Sequence, residues 1–442
     1  MDYPGAIAAL EQALRFGIHP SLEGIRALTD ALGRPQDAFA VVQVTGTNGK
    51  SSVTRLVEAI LGAEGLSAGA YTSPHLESYT ERIELAGVPC SEEDFAQVVG
   101  RAIEAAAGAA GGVTRFTEFE LLTASALLLF RERGVDIACL EVGMGGRWDS
   151  TSVADPAVAV VTGVGVDHTE RLGSSIEEIA ADKAHIIKPG ASVVLGPGTA
   201  PVVGIFLARA GAFGLHPRFV AAREETTPVA EDLTVRYSVL RSPNTPGGRL
   251  TLHVRGIHGD YDRLDVTAPS YQAPNVATAI AAAECALGRA LHPAALRRAL
   301  ASMTFPGRFE VIETDPPLVI DGAHNPQAAR ALATAVREAW PPPSTGPCVV
   351  LGVLTDKDAE GIAGELGPVA ASFVATQPGS PRARPAADLA AAIRRAGVTR
   401  VEEVPDLAQA LRRARVLGGA SGVLVTGSLY TAGQARALLR SG

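Results

Sequence analysis

An apolar run, Phe39-Ala40-Val41-Val42-Gln43-Val44, leads straight into Thr45-Gly46-Thr47-Asn48-Gly49-Lys50-Ser51-Ser52. A helical pattern follows, with Val53, Leu56, Val57, Ile60 and Leu61 on one face. Strand, glycine-containing turn and helix in that order restrict this region to a βα unit whose corner can hold an anion. Glycine lets the backbone approach a phosphate, the N–H groups at the helix start point at it, and Lys50 adds a mobile positive charge. Ser51 or Ser52 can bring a hydroxyl beside the accompanying magnesium. The general phosphate-loop spacing puts a glycine five residues before Gly49, where this chain has Val44, so the loop is the shorter G-T-N-G-K form. Taken alone, so short a match also fits a plain corner in which Gly and Asn only shape the turn. Its place between strand and helix favours a nucleotide phosphate.

A chain of 442 residues is too long for one ordinary core, so two domains are expected. With 47% hydrophobic and 19% charged residues it reads as globular, not disordered. Its 47 acidic against 39 basic residues leave a net charge of −8, which argues against nucleic-acid or membrane-surface partners. An anionic substrate must then be met by local Lys, Arg and metal ions. Cys90, Cys139, Cys285 and Cys348 form no C-x-x-C pair and read as reduced thiols of a cytoplasmic protein. No basic-then-apolar export pattern opens the chain, and the longest apolar run, 121–130, is a core helix too short to span a bilayer.

The first half alternates strand and helix signals, with strands expected over 39–44, 67–72, 136–142, 158–163 and 191–195. That alternation predicts an α/β fold with a mostly parallel sheet covered on both faces. Residues 213–270 carry short β-like runs broken by Pro and Gly, and read as a small antiparallel insertion closing the first domain. The pattern resets near Met303 to Arg308. Five β/α pairs then run to the end, with strands over 318–320, 348–354, 372–376, 400–404 and 422–426, giving a second, Rossmann-like domain. Its first strand leads into Asp321-Gly322-Ala323-His324-Asn325-Pro326, not G-x-G-x-x-G, so no dinucleotide cofactor is expected. The expected domains are 1–303 and 304–442.

Polar clusters stand at the C-terminal ends of several predicted strands, where open parallel sheets build their sites. Thr72-Ser73-Pro74-His75-Leu76, with Tyr79-Thr80-Glu81-Arg82 beyond, suits substrate or metal but equally an ordinary surface loop. Glu141 closes a strand ahead of Val142-Gly143-Met144-Gly145-Gly146-Arg147, and a carboxylate there can hold magnesium or simply form a salt bridge. His168 follows Asp167 at another strand end. Lys183, on a helix, has no local argument to make it special.

Together these segments resemble the folylpolyglutamate synthase and dihydrofolate synthase family, a branch of the Mur ligases. The resemblance covers nearly the whole length. It takes in Arg15-Phe16-Gly17-Ile18 and Leu22-Glu23-Gly24-Ile25-Arg26, the G-T-N-G-K loop, T-S-P-H-L, E-V-G-M-G-G-R, D-H-T-E-R-L-G and D-K-A-H-I-I-K-P-G. F-P-G-R-F-E, D-G-A-H-N-P, the run Leu351 to Asp358, and T-G-S-L-Y continue it. The resemblance implies an ADP-forming ligase that adds L-glutamate to folates, including dihydropteroate, through an acyl phosphate. It implies that Thr47, Asn48, Gly49, Lys50, Ser51 and Ser52 cradle ATP phosphates, and that Gln272, Asn275, Arg308 and Asp321 contact the nucleotide. Two magnesium ions are implied, one on Ser73 and Glu141 and one beside His168. Lys183 matches a lysine that takes up CO₂ as a carbamate. Lys50, Lys183, His168 and His324 would serve the chemistry, while Ser73, Pro74, His75 and Arg82 border the pterin. The smaller domain would help bind the incoming glutamate. A cytoplasmic monomer with no membrane or nucleic-acid partner is the accompanying expectation.

Three departures from the family pattern stand out. Ser51 replaces a glycine, Trp148-Asp149-Ser150-Thr151-Ser152 replaces L-D-A-T-N, and Pro269-Ser270-Tyr271-Gln272 replaces G-x-H-Q. The Trp148 change keeps a Mur-type ligase for another acid–amine pair, such as a cell-wall precursor, in view, although the T-S-P-H-L and Y-T-E-R segments disfavour it. A non-catalytic nucleotide-binding module has no need of the Lys50, Glu141, His168 and Lys183 set.

Overall fold

Strand β1 (Ala40–Thr45) runs through the turn at 46–49 into the helix Lys50–Ala63, as the apolar run and its glycines require. Every β1 residue after Ala40 is buried, the mark of a strand covered on both faces. The computed structural model describes every residue except 18–19, 110–114, 168, 342–343, 345 and 441–442. The chain divides into two compact units. One comprises Met1–Ser238, His253–Leu264 and Pro274–Ser302; the other comprises Val239–Leu252, Asp265–Ala273 and Met303–Gly442.

After β1 come β2 (Ala68–Tyr71), β3 (Ile83–Leu85), β4 (Val88–Pro89), β5 (Ile137–Glu141), β6 (Val158–Gly163) and β7 (Ser192–Gly198). Then follow β8 (Arg218–Ala222), β9 (Thr234–Arg241), β10 (Arg249–Arg255) and β11 (Asp260–Thr267). Among the described residues they form one sheet, in the order β11-β10-β9-β8-β7-β6-β1-β5-β2-β3-β4. The pairs from β2 through β5, β1, β6, β7 and β8 to β9 are all parallel. Strands β8 and β9 therefore extend the main sheet, where the sequence suggested that 213–270 forms an antiparallel insertion. The run Phe219-Val220-Ala221 is buried throughout, so it lacks the alternation that marks a half-exposed strand. At the opposite edge β3 and β4 pair antiparallel, a hairpin the sequence did not suggest.

The second sheet contains β12 (Glu310–Thr314), β13 (Pro317–Ile320), β14 (Cys348–Leu351), β15 (Ser372–Ala375), β16 (Val401–Glu403) and β17 (Val423–Thr426). Its order is β12-β13-β17-β14-β15-β16, parallel from β13 to β16. The five anticipated strands are all present. The antiparallel edge strand β12 is additional, and its half-exposed Glu-Val-Ile-Glu-Thr carries little hydrophobic pattern.

Two helices position the site. Glu118–Glu132 starts on a capping box between Thr117 and Glu120, and everything from Glu120 to Phe130 is buried. Ile176–Lys183 starts on a second box, Ser175 with Glu178, and ends by placing Lys183 in its last turn. The apolar faces of this helix, β6, β7 and the helix Val203–Gly211 share one core that includes Val161, Ile179, Leu195 and Phe206.

Candidate active site

The turn after β1 is held from beneath by the end of β6. The Thr47 N–H donates to the Gly163 carbonyl at 2.9 Å, and Thr162 Oγ1 donates to the Asn48 carbonyl at 2.7 Å. Thr47 Oγ1 exchanges hydrogen bonds with Gly165, donating to its carbonyl at 3.1 Å and accepting from its N–H at 2.9 Å. Gly49 has φ +85°, and a β-carbon there would come within 2.6 Å of Asn275 Oδ1. Only glycine fits both the conformation and the space. Asn275, expected at the nucleotide, thus lies against the loop within the first unit. Gln272 is fully buried in the second unit.

Lys50 stands at the first position of its helix, and its Nζ donates back to the Thr47 carbonyl at 3.2 Å. Next to it, Ser51 Oγ donates to Glu141 Oε1 at 2.9 Å, and the Ser73 N–H donates to Glu141 Oε2 at 3.1 Å. Strands β1, β5 and β2 are neighbours, so their C-terminal ends deliver Ser51, Glu141 and Ser73 to one place. Glu141 is 1% exposed. A buried carboxylate beside hydroxyl and phosphate oxygens is the donor chemistry a hard divalent cation takes. His168 lies outside the described residues. Among those described, no group of three His, Cys, Asp or Glu side chains gathers as a metal cluster.

Lys183 is brought in from the other side. Its Nζ donates to the Gly46 carbonyl at 2.9 Å, and the side chain is buried. Burial, with the Lys50 charge nearby, pulls its pKa down to about 7, against the opposing carboxylates of Asp182, Asp167 and Asp149. Gly46, Lys50, Gly143, Gly145, Asp167 and Lys183 line a small cavity together with Thr47, Met144, Leu172 and Ile179. The local sequence offered no reason to single out Lys183; its depth in this cavity supplies one.

Three residues that sequence reasoning passed over hold the glycine loop in shape. Asp149 Oδ2 accepts the Met144 N–H at 3.0 Å, and its Oδ1 accepts the Thr151 N–H at 3.0 Å. Asp182 Oδ1 accepts the Gly146 N–H at 2.8 Å. Thr45 Oγ1 donates to the Gly145 carbonyl at 2.6 Å, tying the glycine loop to the phosphate loop. Burial raises the Asp149 pKa above the usual carboxylate value, against these hydrogen bonds. Asp149 was visible within the changed L-D-A-T-N segment, but its partners were not.

The Ser73–Arg82 segment closes on itself. Arg82 Nε donates to His75 Nδ1 at 3.0 Å and pairs with Glu118 at 3.4 Å, while its guanidinium lies 5.1 Å from the Tyr79 ring centre. Burial, helped by Arg82, pulls the His75 pKa down to about 4, so the imidazole is neutral at physiological pH. A neutral imidazole packed against the Tyr79 ring and an arginine suits a flat heteroaromatic ligand.

In the second unit Asp321 is the hub. Its Oδ2 accepts from the Tyr271 hydroxyl at 2.7 Å and the Phe309 N–H at 2.8 Å, and its Oδ1 accepts from the Ala323 N–H at 2.8 Å. Burial raises its pKa despite the Arg308 charge. His324 Nδ1 sits 2.9 Å from the Gly322 carbonyl, which favours the tautomer protonated at Nδ1. Tyr271, part of the third departure, thus has a defined partner.

Residues 44–195 match the Mur ligase middle domain and residues 307–429 the Mur ligase glutamate ligase domain. The chain is 37% identical to the dihydrofolate synthase/folylpolyglutamate synthase of Mycobacterium tuberculosis, covering 95% of this chain and 90% of that protein. The folylpolyglutamate synthase of M. tuberculosis, solved with ADP and AMPPCP, superposes with a TM-score of 0.88 at 34% identity over 99% of both chains. A bifunctional folylpolyglutamate synthase/dihydrofolate synthase solved with Mn, AMPPNP and L-glutamate gives 0.83 at 28% identity, covering 100% of this chain and 98% of that one. A phosphate loop tied to a buried carboxylate and met by a buried lysine, on this pair of sheets and with relatives of this extent, places the chain in the folylpolyglutamate synthase/dihydrofolate synthase family of Mur ligases.

Proposed function

We propose that this chain is an ATP-dependent ligase that joins L-glutamate to folates, including dihydropteroate, and releases ADP and phosphate. The observation that carries the reading is that Lys183 meets the phosphate loop at Gly46 while Ser51, beside Lys50 at the start of the next helix, bonds the buried Glu141. A substrate carboxylate oxygen attacks the γ-phosphorus of ATP, and the bond to the β–γ bridging oxygen breaks to give an acyl phosphate and ADP. The free amine of glutamate then attacks the acyl carbon, phosphate leaves with the bonding electrons, and the nitrogen gives up a proton to solvent as the amide forms.

The residues divide that work. Thr47, Asn48, Gly49, Ser51 and Ser52 hold the phosphates, and Lys50 supplies positive charge to the transferring group. Ser73 and Glu141 would hold a magnesium ion, with His168 at a second; when bound, such ions offset charge on the phosphoryl oxygens. In this reading Gln272, Asn275, Arg308 and Asp321 contact the nucleotide and His324 serves the chemistry. Ser73, Pro74, His75 and Arg82 border the pterin in this reading.

Lys183 is proposed as a carbamate. Carbamate formation needs the free amine, whose lone pair attacks CO₂ while a proton leaves to solvent. A lysine whose pKa falls to about 7 presents that amine near neutral pH. A cytoplasmic monomer, with an ATP-binding domain over 1–303 and a C-terminal domain over 304–442, completes the proposal. No helix among the described residues is long and apolar enough to cross a membrane.

The test is a panel of dihydropteroate, tetrahydrofolate and a cell-wall precursor with ATP and candidate amino acids, its products identified by mass spectrometry. Glutamylated folate is the expected product, and Lys50→Ala and Glu141→Ala should abolish it while melting as cooperatively as the parent. Turnover of the cell-wall precursor alone would overturn the reading.

A further inference from the structure

Tyr271 stands where the family pattern has histidine, in Pro269-Ser270-Tyr271-Gln272, and has no part in the chemistry above. The turn Ser270–Gln272 packs on the helix Pro326–Ala339, and the Tyr271 ring lies against the core that holds Phe309, Val319 and Leu332. From that seat its hydroxyl donates to Asp321 Oδ2 at 2.7 Å. Burial and the adjacent carboxylate hold the Tyr271 pKa well above the usual phenol value, so the hydroxyl stays a donor throughout the physiological range. A carboxylate offers about four acceptor positions, two on each oxygen. On Asp321 Oδ2 both are taken, by Tyr271 and by the Phe309 N–H at 2.8 Å. On Oδ1 the Ala323 N–H takes one, at 2.8 Å. Among the described residues that leaves a single open position, on Oδ1. Asp321 is 3% exposed, so bulk water does not replace a lost partner. The Arg308 guanidinium flanks this segment so closely that a β-carbon on Gly322 would collide with its Nη1.

We propose that Tyr271 is a positioning residue for the nucleotide: it fills Oδ2 of Asp321 and so leaves Oδ1 as the oxygen that meets the ligand. The proposal rests on the reading that places Asp321 at ATP. Without the hydroxyl, Oδ2 regains an open acceptor position. The carboxylate can then turn about its Cβ–Cγ bond and present either oxygen, so the ligand has to fix it on binding. Gln272 and Asn275, which follow Tyr271 in the chain, belong to the same nucleotide contact in that reading. The effect therefore falls on ATP and not on the acid substrate.

Calorimetric titration of a non-hydrolysable ATP analogue into the parent, Tyr271→Phe and Tyr271→His tests this. Phenylalanine keeps the ring in its core and removes only the hydroxyl. Kd for the analogue should rise about ten-fold, the lower end of what a hydrogen bond to a charged group is worth. Histidine, the family residue, restores a donor and should recover most of the affinity. In steady state, KM for ATP should rise in Tyr271→Phe while kcat and KM for dihydropteroate hold. A purely structural role would lower the melting temperature without separating these constants. Unchanged affinity for the analogue in a cooperatively melting Tyr271→Phe overturns the positioning role alone. A parent protein that does not bind the analogue overturns the nucleotide reading and the proposal with it.

Discussion

The hydroxyl of Ser51 donates to Glu141 Oε1 at 2.9 Å, across 90 residues of sequence. One departure from the family pattern thus fastens the phosphate loop to the buried carboxylate proposed to bind metal. Removing the hydroxyl leaves one oxygen of a carboxylate that is 1% exposed without this partner. Ser51→Ala should lower stability by about 1.5 to 3 kcal/mol, the range for a hydrogen bond to a charged group. It should also weaken the response to magnesium. Chemical denaturation and a Mn²⁺ titration followed by electron paramagnetic resonance would read the two effects, and Ser51→Thr should restore both.

Glu58, on the same helix as Lys50, is 2% exposed and accepts the Gly87 N–H at 2.9 Å. Burial pushes its pKa up to about 7, with Glu84 adding and Arg55 opposing. Its folded value lies above its unfolded one, so between about pH 4.5 and 7 the folded state holds more protons. Stability therefore declines as pH rises through that window. Glu58→Gln keeps an acceptor for Gly87 and cannot ionise. At pH 8 it should gain up to about 3 kcal/mol over the parent, and near pH 4 almost nothing. Urea midpoints measured at both pH values would show it, and equal gains at both would refute the assignment.

Lys183 offers a free amine near neutrality inside a cavity, so ¹³C-labelled bicarbonate should give a carbamate resonance in the parent. Lys183→Ala should abolish that resonance. A signal that persists in the variant would place the carbamate elsewhere.

Asp149 accepts the Met144 and Thr151 N–H groups and the Thr151 hydroxyl, the last at 2.5 Å. Asp149→Ala strands these donors in a buried loop, and should cost about 2 to 3 kcal/mol of stability. Hydrogen exchange should localise the loosening to the loop at 143–152, with turnover falling because Gly143 and Gly145 line the cavity.

The phosphate loop, the parallel sheet and the second α/β unit were legible from local pattern. A buried central strand reads as an apolar run, a left-handed turn demands glycine, and a helix repeats its apolar face. Strands β8 and β12 escaped for opposite reasons: β8 is short and buried on both faces, and β12 is half-exposed. Lys183 looked like any helical lysine, since nothing within its own turn distinguishes a solvated charge from a buried one.

The chain by itself thus determined the βα corner, with Gly46, Gly49 and Lys50 at its tip, because sterics and periodicity act over a few residues. Only the tertiary structure decided that Lys183 reaches the Gly46 carbonyl from 137 residues away, and that Ser51 and Ser73 meet on Glu141. Those meetings follow from strand order, which sets β1 between β5 and β6 and β2 beside β5. Parallel strands deliver their C-terminal ends to one edge of the sheet, and burial there makes a carboxylate and an amine into partners of a phosphate-binding turn.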